Sequence, residues 1–594
     1  MQDLLKNSFQ KLQTSKFFPI LCYLWLGIFS TLAFLPYQFT HFVWIAPWSL
    51  FLLEKRYRTS YKKLFWHGTW AGVFVSLFSY YWIVHLFTVF GGFPAPIAFL
   101  LFIGYSFTTN VRFGIFLMIF SYLRRKIGKQ MAPIAAFAML FAEFTGFQTF
   151  PWYFGNLLAG NSFLAQNIEY IGVYGLSILV MLVSFSLFKI ISNLPYYKNR
   201  RFNLFLRFSL PYLSALLFFF LSGYLLFQKW NGYKPEDSVE VMMIQPDAPL
   251  EFRDGRSIAQ TLDDVMKGIE RMAIEEGEKT SPDIIVLPES AVPFLSANDI
   301  KANNLFNRSY SPRFEALIFL LANRFKSNVY FNELDSGFLN DSISRRDQIF
   351  YNNSAIYDPN GDRKGFYRKS FLLAFGEYIP LGDKIPFLYD LIPQVAKFFP
   401  GKEQNLLPYF QPSVKSPAFN KSHLRLGDTN FMNLKAVREY YEPIHLSTVE
   451  KGKFLPLICY EVILPEFVRK FGKNGNPDFI INITNDKWYG KSVESFQHLE
   501  LARIRSIEYR RWMVRSTNSG TSVFVNHLGQ VVNDKYTDIY APAVYSSQVD
   551  VIRSEPTFYV KYGDALVWGF LDLFGMYLLY HRFKKLRVPK NSES

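Results

Sequence analysis

The sequence predicts a bundle of about eight membrane-spanning helices joined to a mixed α/β domain on the outer side of the membrane. Three observations predict it. Half of the 594 residues are hydrophobic and 19% are aromatic, above the usual share for a globular chain, and the excess falls in residues 17–228 and 563–580. Lys and Arg gather in every second loop between the apolar runs. Residues 238–552 instead alternate strand-like and helix-like patterns. The expected domains are a transmembrane bundle over 1–228, an extracytoplasmic domain over 229–562, and a last span with a basic cytoplasmic tail over 563–594.

Seven apolar runs precede the soluble part, at roughly 17–35, 39–53, 67–89, 95–122, 132–150, 164–192 and 208–227; an eighth covers 563–580. Crossing ~30 Å of hydrocarbon takes about 20 residues, which most of these runs supply. The second and fifth are short or broken. Asp572 in the eighth is expected to face the bundle or a partner, because an ionised group facing lipid is costly. The first run reads as a signal anchor. It is long and lacks a small-x-small cleavage site, and losing it would spoil the charge alternation.

That alternation sets the orientation. Lys6, Lys11 and Lys16 precede the first run, and Lys55, Arg56, Arg58, Lys62 and Lys63 follow the second. Arg124, Arg125, Lys126 and Lys129 follow the fourth, Lys198, Arg200, Arg201 and Arg207 the sixth, and Arg582, Lys584, Lys585, Arg587 and Lys590 the eighth. The intervening loops 36–41, 91–96 and 150–156 hold no Lys or Arg. Both termini are then cytoplasmic, and residues 229–562 lie outside the cytoplasm. The same segments hold 21 of the 64 Lys and Arg residues against three acidic ones, so the remainder of this +16 chain is nearly neutral. The net charge records topology, and no nucleic-acid partner is expected.

In the soluble part, residues 239–245 read as an opening strand. Leu262, Val265, Ile269 and Met272 share one face of a helix over 258–277. Strands follow at 283–287, 328–332 and 353–357, with a helix at 312–325. Asp358-Pro359-Asn360-Gly361-Asp362 turns a hairpin into 365–367. Residues 454–458 and 478–483 are short buried strands, 492–515 a long helix, and 521–526 with 530–532 a late hairpin turning at Leu528-Gly529. Residues 402–450 are the least patterned, and read either as a flap near the site or as a surface insertion.

Three segments carry chemistry. Ile284-Ile285-Val286-Leu287-Pro288-Glu289 ends an apolar strand on a carboxylate, Tyr367-Arg368-Lys369 supplies an amine, and Leu455-Pro456-Leu457-Ile458-Cys459-Tyr460-Glu461 ends another apolar strand on a thiol. Together they are what nucleophilic acyl transfer needs. Cys459 is the nucleophile; a free thiol is only a few per cent thiolate at neutral pH and needs a base or a cation beside it. Partial burial past its strand would lift Glu289 toward a useful pKa as that base. Lys369 would stabilise the oxyanion. The chain's other cysteine, Cys22, lies in the first apolar run, so no disulfide to Cys459 is expected. His498, at the start of a helix, reads as structural. Neither metal-ligand spacing nor a glycine-rich phosphate loop is evident, so no metal and no cofactor are expected.

The order Pro288-Glu289, Tyr367-x-Lys369, Cys459-Tyr460-Glu461 resembles the nitrilase superfamily. The whole chain resembles the apolipoprotein N-acyltransferase family of the bacterial envelope. The strings that carry the likeness include 375–380, Thr484-Asn485-Asp486-x-Trp488-Tyr489-Gly490, Gln497-His498, 502–505, Arg515-Ser516-Thr517-Asn518-Ser519-Gly520 and, in the apolar part, Gly91-Gly92-x-Pro94 and Phe150-Pro151-Trp152. The resemblance implies a nitrilase-like αββα sandwich on an eight-span base in the inner membrane, with the site on the periplasmic side. It implies a phospholipid acyl donor, diacylated apolipoproteins as acceptors, and a monomer. It gives Glu377 the task of orienting Lys369 or binding the amine, and has Tyr460 and Glu461 shape the pocket.

Two departures stand out. The family carries a lid tryptophan some thirty residues before its glutamate; here Phe252 is the nearest counterpart, and Leu287 replaces the tryptophan common before Pro288. The insert at 402–450 is also long. The expected reaction is a two-step transfer through a Cys459 thioester. The alternative is a membrane-anchored amidase or thioester hydrolase using the same three residues with water as acceptor. A channel or transporter is a third class, disfavoured by the few charges within the spans.

Overall fold

The structure is a computed structural model. It describes residues 14–34, 36–89, 91–127, 132–193, 201–249, 257–292, 312–338, 348–391, 395, 397–413 and 446–587. Its contacts divide the chain into two compact units: Met1–Phe87, Pro94–Gly232 and Thr557–Ser594 in one, Thr88–Phe93 and Tyr233–Pro556 in the other.

The first unit is helical: α1 Phe18–Ala33, α2 Trp48–Tyr57, α3 Tyr61–Ser79, α4 Ile83–Val89, α5 Ala95–Ile127, α6 Ala132–Thr145, α7 Ile168–Asn193, α8 Arg201–Asn231, and a C-terminal helix Ala565–Arg587. Among the described residues, three helices are long and apolar enough to cross a membrane, Ala95–Ile127, Leu164–Ser192 and Leu210–Asn231; α3 and α4, bent by 68° at a short break, would make a fourth. The run expected at 39–53 is instead a 3-10 turn followed by α2, whose 10 residues rise about 15 Å, half of what crossing takes. The run at 164–192 is broken inside α7, where Gly172 takes φ 58° and a Cβ would strike the ring of Tyr559. Helix packing relies on small residues. Gly68 and Gly72 of α3 lie against Phe113 and Asn110 of α5, and a Cβ on Gly114 would come within 2.6 Å of the Phe65 carbonyl. Some buried polar groups in this unit are paired: Arg112 donates to Gln148 and stacks 4.5 Å over Trp152, and Trp230 donates to Glu169 at 2.8 Å.

The second unit holds two sheets. The six-stranded sheet runs β11-β1-β2-β3-β4-β5, with β1 Asp237–Gln245, β2 Ile284–Val286, β3 Asn328–Phe338, β4 Gln348–Tyr357, β5 Arg363–Arg368 and β11 Ala543–Val551. The five-stranded sheet runs β10-β9-β8-β7-β6, with β6 Leu407–Pro412, β7 Thr448–Ile458, β8 Ile480–Thr484, β9 Met513–Thr517 and β10 Val523–Val525. Alternate residues of the first sheet point opposite ways. Met242, Ile244, Ile285, Leu287, Val329 and Phe331 pack on Met266, Ile269, Phe314 and Leu317 of α9 Ile258–Thr280 and α10 Pro312–Phe325. Tyr330 faces the other way and meets Phe454 of β7 edge-on at 5.0 Å.

Where the sequence implied a helix to residue 515, α11 Glu494–Tyr509 stops at Arg510, which takes φ 52°, and Met513–Thr517 is strand β9 paired with β8. Tertiary pairing overrides the helical pattern there. The insert at 402–450 contributes β6, with 414–445 outside the described residues. Strands β1, β2 and β3 run parallel, as do β7, β8 and β9. Antiparallel pairing of β4 to both β3 and β5 points β5 the same way as β2. Glu289, Lys369, Cys459 and Thr484 therefore all stand at or just past the carboxyl ends of their strands, where open α/β sheets place their sites.

Candidate active site

Cys459 follows β7 directly and takes φ 52°. A side chain in the left-handed region is uncommon and holds only where its surroundings impose it. Here Glu461 imposes it. Its carboxylate accepts from the Ile458 N–H at 3.0 Å, closing the 3-10 turn Cys459–Ile463. It also accepts from the Tyr367 hydroxyl at 2.7 Å and from the N–H groups of Ser370 and Phe371 at 2.8 and 3.1 Å. One carboxylate thus ties the thiol's turn to the loop carrying Lys369. Tyr460 turns its ring toward Phe371, centroids 5.9 Å apart.

Lys369 is 1% exposed, and its ammonium lies 2.8 Å from Glu377 Oε2 and 3.6 Å from Glu289 Oε1. The Asn352 amide donates to both carboxylates, at 2.8 Å to Glu289 and 2.7 Å to Glu377. Asn352 is held by Asn332, which also accepts from the Ser290 N–H. Leu373 N–H donates to Glu377 at 2.9 Å. The Cys459 thiol and the Glu289 carboxyl stand near enough to shift each other's pKa. The structure thus brings Glu289, Lys369, Glu377 and Cys459 together, with Tyr460 and Glu461 beside them. Phe252 lies outside the described residues.

Burial dominates the electrostatics. It pushes the Cys459 thiol well above its ordinary value, and nearby Glu289 adds to this; Lys369 opposes both. Burial also raises Glu289, against the pull of Lys369. For Lys369, burial favours the neutral amine, but Glu377 and Glu289 outweigh it and hold the ammonium charged. Burial raises Glu461 to about 7, against its backbone donors. At rest a protonated thiol stands beside a carboxyl of raised pKa and an ammonium held charged.

Behind Cys459 lies a second polar group. Asp486, Glu494 and His498 bring ligand-type atoms within 4.8 Å of one another, a cluster that sequence spacing did not reveal and, among the described residues, the group able to hold a metal ion. The Arg515 guanidinium already stands 3.0 Å from Asp486 Oδ2 and supplies the positive charge there. Burial acts against the Asp486 anion, yet Arg515 and His498 hold its carboxyl down to about 2. His498 belongs to this group, its Nδ1 lying 3.1 Å from Asp486 and 3.5 Å from Glu494. Sequence reading also missed Asn352, an amide inside a strand pattern, which nothing short of the fold ties to the carboxylates.

Two family models match the chain: the apolipoprotein N-acyltransferase N-terminal domain over residues 26–186 and carbon-nitrogen hydrolase over residues 256–553. The chain is 49% identical over 592 residues to "Apolipoprotein N-acyltransferase 2" of Leptospira interrogans serovar copenhageni, covering 97% of this chain and 98% of that one. It is 30% identical over 570 residues to "Apolipoprotein N-acyltransferase 1" of serovar Lai, covering 93% and 95%. Among solved structures, a carbon-nitrogen hydrolase from Helicobacter pylori is 15% identical, with a TM-score of 0.31 over 56% of this chain and 94% of that one. With matches that run nearly end to end in both directions, the chain belongs to the apolipoprotein N-acyltransferase family.

Proposed function

We propose that the protein moves an acyl chain from a phospholipid to the N-terminal amine of a diacylglyceryl-cysteine lipoprotein, through a thioester on Cys459. The observation that carries this reading is the buried meeting of thiol, carboxyl and ammonium in a chain of this family. Because the resting thiol is neutral, its proton leaves as the sulfur attacks. Glu289 takes that proton, the S–C bond forms at the ester carbonyl, and the Lys369 ammonium faces the charge gathering on the carbonyl oxygen. The ester C–O bond then breaks, and the proton on Glu289 passes to the departing alkoxide, releasing lysophospholipid. In the second half the acceptor amine attacks the thioester. An N–C bond forms, the C–S bond breaks, and the amine's proton returns through Glu289 to the sulfur. Glu377 keeps Lys369 charged and fixed. The three groups are each 5% exposed or less, which favours an amine brought in with its lipid over bulk water as acceptor.

Eight spans, with the 3-10 turn Thr40–Trp44 and α2 counted together as the second, a four-layer αββα arrangement of the second unit, a monomeric chain and a periplasmic site complete the proposal. The basic loops support that orientation.

The test is intact-mass measurement after incubation with a phospholipid carrying a labelled sn-1 chain. A hydroxylamine-labile acyl group is expected on Cys459, discharged by a diacylglyceryl-cysteine peptide and absent from Cys459→Ala. Fatty acid release with no transfer to the peptide would instead establish the hydrolase. An adduct that persists in Cys459→Ala would refute the thioester.

A further inference from the structure

Arg515 lies in β9 with no surface exposed, and its guanidinium reaches the nucleophile along two routes. Register places Leu457, Asn482 and Arg515 side by side across β7, β8 and β9. One arm of Arg515 donates to the side-chain Oδ1 of Asn482. The Asn482 amide in turn donates to the backbone carbonyls of Leu457 and Cys459, both at 3.4 Å. The other arm holds Asp486, at 3.0 and 3.3 Å to its two oxygens. Asp486 accepts from the Thr484 hydroxyl at 3.1 Å, and that hydroxyl stands near enough to the Cys459 thiol to favour its thiolate. The first route fixes the backbone of a residue held at φ 52°; the second ends on its sulfur. Only a planar, forked donor serves both routes at once.

We propose that Arg515 is a positioning residue for Cys459, acting through Asn482 on the backbone and through Asp486 and Thr484 on the sulfur. The Thr484 hydroxyl has one proton and two candidate acceptors. In the resting enzyme it donates to Asp486. When Glu289 removes the thiol proton, the hydroxyl turns to donate to the sulfur. Asp486 tolerates the loss, because Arg515 and His498 still satisfy it. No proton changes owner in this turn; a hydrogen bond moves from an oxygen to the sulfur as negative charge gathers there. The other groups around the thiol are Glu289 and Lys369 from the six-stranded sheet and Tyr489 from the turn after β8, with Glu494 and His498 behind Asp486. Among these neighbours Thr484 is the small neutral hydroxyl. A plain core ion pair between Arg515 and Asp486 would give Thr484 no part in sulfur chemistry. The inference rests on Cys459 being the nucleophile.

The test compares full-length wild type, Thr484→Val and Thr484→Ser, the first nearly isosteric without the hydroxyl, the second restoring it. Two rates are read across pH: alkylation of Cys459 by a small haloacetamide, and acyl-adduct formation from a labelled phospholipid. Thr484→Val is expected to slow both by about ten- to a hundredfold, the range for losing a hydrogen bond to a charged group. It is also expected to move the alkylation profile to higher pH, because the thiolate loses a donor. Thr484→Ser is expected to recover both. Arg515→Lys, with a single ammonium in place of the fork, is expected to slow the adduct comparably; if it does not fold, the Thr484 pair decides alone. Wild-type rates and profile in Thr484→Val, or a Thr484→Ser variant as slow as Thr484→Val, would overturn the inference. A wild type that alkylates with the expected Thr484 dependence but takes no acyl group would overturn the thioester reading and leave the positioning role standing.

Discussion

Cys459 and Glu289 are mismatched in a useful way. Burial holds the thiol protonated and also lifts the carboxyl, so Glu289 is a stronger base than an exposed glutamate and Cys459 a weaker acid than an exposed cysteine. The sign of the pH dependence follows. As the proposed base, Glu289 would act only when ionised, and its pKa is raised, so acylation is expected to fall as pH drops through a value above the ordinary carboxylate range. Glu289→Gln should lower the rate by about 10²–10⁴-fold, the usual share of general-base catalysis, and should erase that acid limb. Rates of adduct formation between pH 4 and 8 check both points. An acid limb in the ordinary carboxylate range would show that burial is not what sets this base. Glu289, Lys369 and Cys459 were legible in the sequence because each ends an apolar strand or follows a Tyr-x-Lys string. Asn352, Thr484 and Arg515 were not, because an amide, a hydroxyl and a guanidinium inside strand patterns acquire a role only from the register that aligns them.

At the scale of elements, buried apolar strands and amphipathic α9 read cleanly from period and composition. The errors cluster where pairing overrides pattern. Arg510 to Arg515 continue a helical pattern, but Met513 has a strand partner in Ile480, and the chain leaves the helix to meet it. The α7 span conceals a break that Gly172 permits. Glycine also decides how α3 meets α5. Gly68 and Gly72 sit where a side chain would push into Phe113 and Asn110, while Gly104, on the same α5, has open space around it. Gly68→Ala is therefore expected to lower the midpoint of thermal unfolding in detergent, with a cost of about 1–3 kcal/mol for overpacking a tight contact. Gly104→Ala should leave it unchanged or raise it, since alanine is the better helix former by up to ~1 kcal/mol. Equal shifts for the two variants would mean that the crossing is loose and that small residues do not set it.

For the whole molecule, the proposed chemistry requires that a lipid ester and a lipid-bearing amine reach one buried thiol, and a chain with several span-length apolar helices has reason to keep both in the bilayer plane. The helices alone leave open which side of the membrane holds the second unit. The proposed direction rests on charge, because basic loops resist export whatever the protein does later. Lys62 stands exposed at the start of α3 in a basic loop, and Lys279 stands exposed near the end of α9 in the second unit. With Cys22 and Cys459 replaced, Lys279→Cys is expected to react with a membrane-impermeant maleimide added to cells whose outer membrane has been opened. Lys62→Cys should react only after the inner membrane is lysed. The reverse pattern would place the thiol on the cytoplasmic side, where the proposed lipoprotein acceptors are not yet exported. Labelling of both before lysis would mean that the loop charges do not set the orientation of this chain, and the count of spans between residues 62 and 279 would have to change with it.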